Sequence, residues 1–467
     1  MTSSRGPRTA PTGAAPDRLP ERRLLLHGIG VTNAAAARAA VAHGRTVVLS
    51  DDGVPALGRE LEDELGVPVH RTPDAGELAA LVAGVDAVVP APGLPEAHPL
   101  FGLARDAGRP VLSEFDLAAA WDDRPVLAVT GTNGKTTVTT LVEQMLVRSG
   151  RRTAAVGNLD VPLVAAIADP RPEVFTVEAS SFRLAHSRSF APHVATWLNF
   201  AEDHLDVHRT LDDYRRAKAR IWADQGPDDV AVVNAEDPVV AEDAAAISGP
   251  VVVRYGLAPV VDGRPTEYHE RDGVLVGPGG TELVPVAALW RALPHDRSNA
   301  LAAAATALAG GATVEGVRLA LRSFRGLPHR VELVGERDGV RWYDDSKATA
   351  PHATLAALAG FDSVVLVAGG RNKGLDLGAL HAAADRVRAV VGIGESGRDV
   401  VAAFPGVPGR VTDSMAAAVA VAAGLAGPGD VVLLSPGCAS FDWYDSYAAR
   451  GDDFAAQVRA LVLERTT

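Results

Sequence analysis

The sequence predicts an α/β fold divided into three domains, and three observations predict it. The chain has 467 residues, room for about three domains at ~150 residues each. Apolar β-branched runs such as VLAVT and DVVLL suit parallel strands buried on both faces, and they alternate with turns and alanine-rich helical stretches. Two polar seams, Trp121–Pro125 and Gly326–His329, break the alternation. They separate domains over 23–122, 123–326 and 327–467 from a tail over 1–22. The tail is rich in Ser, Thr, Pro, Gly and Arg, lacks an apolar stretch, and reads as disordered rather than as a secretory signal.

The strands follow in order. The first domain offers 23–27, 46–50 and 85–89; the second, 126–130, 174–178, 194–198 and 230–233; the third, 363–368, 389–393 and 430–434. Between about 255 and 290 the Gly/Pro-rich, turn-dense sequence predicts short antiparallel strands instead of βα units. The third domain opens on the run RVELVGERDGVRWYDDS.

Composition excludes several classes of function. Acidic residues outnumber basic ones 58 to 45, a net charge of −13, which argues against binding the phosphate backbone of nucleic acid. No uninterrupted apolar stretch approaches the ~18 residues of a membrane span. The one cysteine, Cys438, cannot form an internal disulfide and has no histidine near it in sequence, so it reads as a packed small residue. A cytoplasmic, soluble protein is expected. Only four of the 45 basic residues are lysine (Lys135, Lys218, Lys347 and Lys373), which asks what an ammonium does there that a guanidinium cannot.

The first domain begins LLLHGIGVTNAAAARAAVAHGRTVVLSDDG, a strand, a GxGxx turn, a helix and a second strand ending at Asp51 and Asp52. Gly28 and Gly30 leave space for a diphosphate and Asp51 or Asp52 could accept from a ribose or base. A purely structural βα turn reads equally from this spacing, because Asn33 stands where a dinucleotide fingerprint has its third glycine.

VLAVTGTNGKTTVTTLVEQML is the strongest motif: a buried strand, a glycine-bearing loop and a helix. Gly131, Thr132, Asn133 and Gly134 turn backbone N–H groups towards an anion, and the helix N-terminus adds favourable charge. Lys135 can reach the β- and γ-phosphates and the Thr136 hydroxyl can ligate Mg²⁺. Thr137 follows. Val129 replaces the first glycine of the general motif, leaving GxxGK[ST]. Downstream, Glu178 ends one strand before ASSFRL, and Asn199 and His204 lie in NFAEDHLDVH after another. Strand-end groups of one sheet converge where a second Mg²⁺ could sit, although each alone reads as an ordinary strand end or loop residue. Lys218 lies among Arg215, Arg216 and Arg220, either on a solvated helix face or as an amine that reacts with carbon dioxide to form a carbamate. In the third domain YDDSKAT, VAGGRNKGLDL and LLSPGCASFDWYDSYAARGDDF each follow a strand, and Lys373 with Ser440 offers what a dicarboxylate needs.

Taken together these motifs resemble the Mur ligase family over about 23–460. GTNGKTT matches the family's shortened phosphate loop, and EASSFRL, NFAEDHLDVH, YRRAKARIW, LPHDRSNALAAAATA, FRGLPHR, DDSKAT and SPGCASFDWY follow in the family's order. The resemblance implies a Rossmann-like N-terminal domain, a central P-loop ATPase domain with a mainly parallel sheet, and a C-terminal Rossmann-like α/β domain. DDSKAT and SPGCASFDWY match the branch that adds D-glutamate; the other branches carry DYAH- or DYNANP-type motifs there.

Further roles come with the resemblance. Lys135 and the loop residues through Thr137 would hold ATP phosphates, Asn299 adenine, Arg330 phosphates and Asp345 the ribose. Thr136 and Glu178 would serve one Mg²⁺, and Glu178, His204 and Lys218, as its carbamate, the second. Gly30, Val31, Thr32, Asp51, Asn158 and Ser181 would meet UDP-N-acetylmuramoyl-L-alanine. Lys347, Thr349, Lys373, Ser440, Phe441 and Tyr447 would meet D-glutamate. Catalysis would rest on Lys135, His204 and Lys218. Asp296 and Ala350 stand where the family more often has asparagine.

The implied enzyme is a monomer that activates the L-alanyl carboxylate with ATP as an acyl phosphate. The D-glutamate amine then attacks through a tetrahedral intermediate, its three domains closing to exclude water. Two rivals remain: a folylpolyglutamate synthase-like ligase sharing the phosphate loop, and a non-catalytic nucleotide-binding regulator. DDSKAT and SPGCASFDWY oppose the first; the presence of Lys135, Glu178, His204 and Lys218 opposes the second.

Overall fold

Residues 17–463 are described in the computed structural model, and they form two compact units. One comprises the chain to Phe200, His204–Leu289 and Arg297–Phe324; the other comprises Ala201–Asp203, Trp290–Asp296 and the chain from Arg325. Among the described residues no helix is long and apolar enough to cross a membrane.

The first unit holds two parallel sheets. In the first sheet, β1 (Arg23–His27), β2 (Thr46–Asp51), β3 (Val69–Arg71) and β4 (Ala87–Pro90) run in the order β3-β2-β1-β4. Helices α1 (Val31–Ala42), α2 (Gly58–Leu65), α3 (Ala75–Ala83), α4 (Pro99–Asp106) and α5 (Glu114–Trp121) connect or follow the strands. Residues 24–27 of β1 and 47–50 of β2 are buried without alternation because apolar helices cover both sheet faces. Of the segment read as a tail, residues 1–16 lie outside the described residues. Asp17 is anchored: it accepts from Arg45 at 2.6 Å and from the Trp121 indole at 3.2 Å, and Leu19 is buried.

The second sheet contains β5 (Val126–Thr130), β6 (Thr153–Gly157), β7 (Val174–Glu178), β8 (Val194–Trp197), β9 (Val230–Asn234) and β10 (Val251–Tyr255), in the order β10-β9-β8-β5-β7-β6. Its helices are α6 (Lys135–Arg148), α7 (Leu163–Ala166), α8 (Ser181–Leu184), α9 (Leu211–Ala219) and α10 (Pro238–Ala245). β1 lies between β2 and β4, and β5 between β7 and β8. Chain direction away from the sheet therefore switches after β1 and after β5, opening a crevice at each strand's C-terminal end. Those two strand ends carry the two glycine-bearing turns.

The turn-dense stretch forms short antiparallel strands, β11 (Val260–Val261) with β12 (Arg264–Pro265), then β13 (His269–Arg271), β14 (Val274–Gly277) and β15 (Thr281–Pro285). α11 (Pro294–Ala309) and α12 (Val314–Ser323) follow. The second unit is built on β16 (Glu332–Arg337), β17 (Val340–Asp344), β18 (Val364–Gly369), β19 (Val387–Ile393), β20 (Gly409–Val411) and β21 (Val431–Leu434), in the order β16-β17-β21-β18-β19-β20. Only the β16–β17 pair is antiparallel. α13 (Pro351–Leu358), α14 (Gly397–Ala402), α15 (Met415–Leu425) and α16 (Tyr447–Leu463) flank it. Separate apolar clusters cover the two sheet faces, one around Leu366 and Leu433, the other around Val365 and Val432, the alternation expected of successive strand residues.

Candidate active site

The phosphate loop lies at the β5 crevice. Gly131 has φ 155° and Gly134 φ 82°. A Cβ on Gly134 would lie 2.6 Å from Asn299 Oδ1, so the loop turns tightly beneath that side chain only because the position is glycine. Gly134 caps α6 without a side-chain acceptor, and the first helical turn carries no acidic residue, so the positive end of the helix dipole faces the loop with no carboxylate of its own turn beside it. Asn199 holds the loop from β8: its carbonyl accepts from Thr132 N at 3.1 Å and its Oδ1 from Asn133 N at 2.8 Å. Lys135 Nζ folds back to the carbonyls of Gly131, 2.8 Å, and Thr132, 3.0 Å.

Glu178, at the end of β7, has 3 % exposure. One oxygen accepts from Asn158 Nδ2 at 2.9 Å, while the other, Oε2, is buried without a hydrogen-bond partner. Such an orphan acceptor costs free energy unless a cation meets it; with the hydroxyl of Thr136, the second residue of α6, the oxygen donors fit Mg²⁺. Gly157 permits the approach: its φ is 100°, and a Cβ there would lie 2.5 Å from the Glu178 carbonyl.

Lys218 does not lie on a solvated helix face. It is 1 % exposed, donates to the Gly131 carbonyl at 2.8 Å, and its Nζ sits 4.5 Å from the Tyr214 ring centroid. Tyr214 also meets the His204 ring at 5.9 Å, and its hydroxyl lies 3.2 Å from Thr132 Oγ1. His204 has φ 57°, a left-handed conformation uncommon outside glycine. Tyr214 thus joins His204, Lys218 and the phosphate loop, a role sequence reasoning missed. Its position one helical turn before Lys218 was the available signal.

At the β1 crevice Gly30 caps α1 with no side-chain acceptor, and a Cβ there would meet nothing within 4 Å. Val31 is 62 % exposed. Asp51 Oδ2 accepts from Ile29 N at 2.6 Å and Oδ1 from Gly53 N at 2.8 Å, so the carboxylate shapes the turn. Asn33 donates to the carbonyls of His27 and Val89, 3.0 and 3.1 Å, tying β1 to β4; this explains an amide where a glycine was expected. Arg183 of α8 donates to Thr32 Oγ1 at 3.1 Å and to Asn158 Oδ1 at 2.8 Å. Ser181 contacts His208 Nε2 at 2.9 Å, whose Nδ1 lies 2.7 Å from Glu96.

Two His/carboxylate groups among the described residues have potential ligand atoms within 4.8 Å of one another: His27, Asp52 and His98, and His329, Glu332 and Asp344. Neither includes Glu178 or His204. In the first, His98 Nδ1 accepts from Leu100 N at 3.2 Å, so its Nε2 carries the proton directed at Asp52, 3.0 Å away.

In the second unit the three strand-end loops are stitched together. Arg371 and Ala439 exchange backbone hydrogen bonds of 2.9 and 3.0 Å, and Gly437 N donates to the Ala348 carbonyl at 2.9 Å. Arg450, 2 % exposed, fans onto Ser346 Oγ, the Ser346 carbonyl and the Cys438 carbonyl at 2.9–3.1 Å. All its acceptors are uncharged, and burial lowers its pKa to about 10. Arg450 was not legible as a site residue. Lys347 Nζ lies 3.8 Å from the Tyr447 ring centroid. Ser440 is buried, Thr349, Lys373 and Tyr447 are half-buried, and Phe441 is 63 % exposed.

Asp345 accepts from Ser435 Oγ at 2.8 Å and Val331 N at 3.2 Å, and burial pushes its pKa up to about 7. Asp296 accepts both forks of Arg291, at 2.6 and 2.7 Å, and Arg291 also donates to the carbonyls of Arg330 and Val331. The aspartate at 296 is thus the partner of a guanidinium that holds the Arg330 backbone. Ala350 is the N-cap of α13 and supplies no side-chain acceptor. Burial pushes the Cys438 thiol up to about 11, which suits a packed residue and not a nucleophile.

Residues 129–307 match the Mur ligase middle domain, and residues 329–438 match the Mur ligase glutamate ligase domain. The chain is 44% identical to a UDP-N-acetylmuramoylalanine–D-glutamate ligase of Frankia casuarinae, over 94% of each chain. It is 40% identical to the ligase of the same name from Thermobifida fusca, over 94% of this chain and 98% of the relative. Among solved structures, UDP-N-acetylmuramate-alanine ligase from Thermotoga maritima shares the fold, with a TM-score of 0.55, 20% identity, and coverage of 94% and 99% of the two chains.

Proposed function

The chain belongs to the Mur ligase family, and from that premise we propose that it joins D-glutamate to the L-alanyl carboxylate of UDP-N-acetylmuramoyl-L-alanine. It is an ATP-dependent amide-bond ligase of peptidoglycan precursor synthesis. The substrate assignment is carried by the identity of 36–44% to relatives of that name across 94% of the chain.

A carboxylate is a poor acyl donor because its oxide is a poor leaving group. In the proposed reaction the alanyl carboxylate attacks the γ-phosphorus of ATP, ADP leaves, and an acyl phosphate forms. The D-glutamate amine then adds to the acyl carbon, giving a tetrahedral oxyanion. Its collapse expels phosphate, and the amine proton passes to solvent or phosphate. Lys135 and the amides of Gly131–Thr137 would hold the ATP phosphates, Asn299 the adenine, and Arg330 and Asp345 the rest of the nucleotide. Thr136 and Glu178 would hold one Mg²⁺, and Glu178, His204 and carbamylated Lys218 a second. Bound there, the ions would neutralise phosphate charge so that two anions can approach.

The carbamate forms when the neutral Lys218 amine adds to carbon dioxide and releases a proton, turning a buried cation into an oxygen-bearing anion. Gly30, Val31, Thr32, Asp51, Asn158 and Ser181 would meet the nucleotide-sugar substrate. Lys347, Thr349, Lys373, Ser440, Phe441 and Tyr447 would meet D-glutamate, with Arg450 fixing the loops that carry them. The reading keeps the enzyme cytoplasmic and monomeric.

An isotope experiment tests the activation step. Oxygen-18 in the alanyl carboxylate should appear in the inorganic phosphate released, in proportion to amide formed. Phosphate free of label would exclude the acyl phosphate.

A further inference from the structure

Arg183 makes more side-chain contacts than its place on a four-residue helix requires. Its side chain is 7 % exposed. Nε donates to Glu114 Oε1 at 3.0 Å, Nη1 to Asn158 Oδ1 at 2.8 Å and Ser180 Oγ at 3.4 Å, and Nη2 to Thr32 Oγ1 at 3.1 Å. Glu114 is fixed in turn by the Val164 N–H at 3.0 Å. The guanidinium therefore links the glycine turn after β1 to Asn158, and Asn158 to Glu178.

We infer that Arg183 is a positioning residue that aims the Glu178 carboxylate at its cation and couples that aim to occupancy of the nucleotide-sugar turn at Thr32. Guanidinium has donors only. Asn158 must therefore turn its carbonyl oxygen to Arg183 and its NH₂ to Glu178, because the flipped amide would set donor against donor and acceptor against acceptor. With one Glu178 oxygen occupied in this way, the orphaned Oε2 is the one presented to the cation. Thr32 Oγ1, already accepting from Arg183, keeps its own proton to donate to an acceptor oxygen on the substrate. Each bond in such a chain polarises the next, so substrate at Thr32 and cation at Glu178 should strengthen each other's binding. A lysine would keep the charge beside Glu114 but lacks the planar fork that reaches Thr32 and Asn158 together.

This inference rests on the nucleotide-sugar reading of the Thr32 turn. Its test uses the full chain, with Mn²⁺ as a paramagnetic probe. Arg183→Lys preserves the charge facing Glu114, and the double variant Arg183→Gln/Glu114→Gln removes both charges, so no ion is left unpaired. For each, Mn²⁺ affinity is measured by electron paramagnetic resonance with and without UDP-N-acetylmuramoyl-L-alanine, alongside steady-state constants and the melting temperature. In the unsubstituted protein the nucleotide-sugar should tighten Mn²⁺ several-fold. Both variants should weaken Mn²⁺ about five- to tenfold, lose the tightening and raise KM for the nucleotide-sugar about tenfold, while KM for D-glutamate stays within twofold. Variants that melt lower but keep Mn²⁺ affinity and its response would overturn the inference and leave Arg183 a structural residue. Failure of the unsubstituted protein to use the nucleotide-sugar would instead count against the substrate reading, and the Mn²⁺ affinities measured without substrate would still decide whether Arg183 aims Glu178.

Discussion

The Asn158 amide donates to one carboxylate oxygen of Glu178 at 2.9 Å while the other oxygen of that carboxylate stays buried and unpartnered. A fold assembled for stability alone would gain by removing that charge. Its retention marks the strand end as a place built for a cation.

Glu178→Gln keeps the shape and one acceptor but removes the charge. Turnover should fall by at least about a hundredfold, since charge neutralisation by a metal is worth several kcal/mol in the transition state. The melting temperature should rise in the same variant, because a buried unpaired carboxylate is gone. Paired activity and thermal-shift measurements check both signs, and a variant less stable than the parent would contradict the account.

Lys218 is the only fully buried lysine among the described residues, and its proposed role depends on a carboxylate made from an amine. Lys218→Ala should lose nearly all activity and regain part of it when millimolar short-chain carboxylic acids are added. Lys218→Arg should not respond to them, because a guanidinium fills the space and keeps the positive charge. Full activity in the alanine variant would remove the carbamate from the mechanism.

Burial pushes Asp345 up to about 7, so folding takes up a proton between the ordinary carboxylate range and about pH 7. The folded state binds more protons than the unfolded state in that window, and this group's contribution to stability falls as pH rises through it. Asp345→Asn removes the titration. Its melting temperature relative to the parent should therefore be more favourable at pH 8 than at pH 5; an equal difference at both pH values would contradict the assignment.

Asp296→Asn restores the residue more frequent in the resembling family, yet here it should destabilise. The change leaves Arg291, bound also to the Arg330 and Val331 carbonyls, without its charge partner. Losing hydrogen bonds to a charged group costs about 1.5–3 kcal/mol. Denaturant unfolding should show a loss of that order; an unchanged midpoint would mean that the amide serves Arg291 equally well.

What the sequence made legible was contiguous. The phosphate loop reads directly because strand, glycines, lysine and helix occupy one run, and the antiparallel stretch reads from its glycines and prolines. β6 and β10 escaped because TAAVG and VVVRY sit in ordinary surroundings with no motif beside them. Arg183 and Arg450 were invisible for another reason. Their partners lie 151 and 104 positions away, at Thr32 and Ser346, and a lone arginine in an arginine-rich chain looks like a solvated charge. Asp51 shows the opposite effect: a strand-end carboxylate read as a ligand contact also holds the turn's own N–H groups. Of the four lysines, Lys218 is the one whose burial most changes its meaning, from one cation in a basic helix to a group against the phosphate loop.

The most direct measurement is ADP release by the purified full chain with ATP, Mg²⁺ and UDP-N-acetylmuramoyl-L-alanine, across a panel of D-glutamate, L-glutamate, L-alanine, L-lysine and meso-diaminopimelate, with a folate acceptor plus L-glutamate as the rival pair. Release with D-glutamate should exceed that with every other member at least about a hundredfold, a discrimination of roughly 2.7 kcal/mol. Preferred turnover of any other amino acid, or of the folate pair, would contradict the substrate assignment.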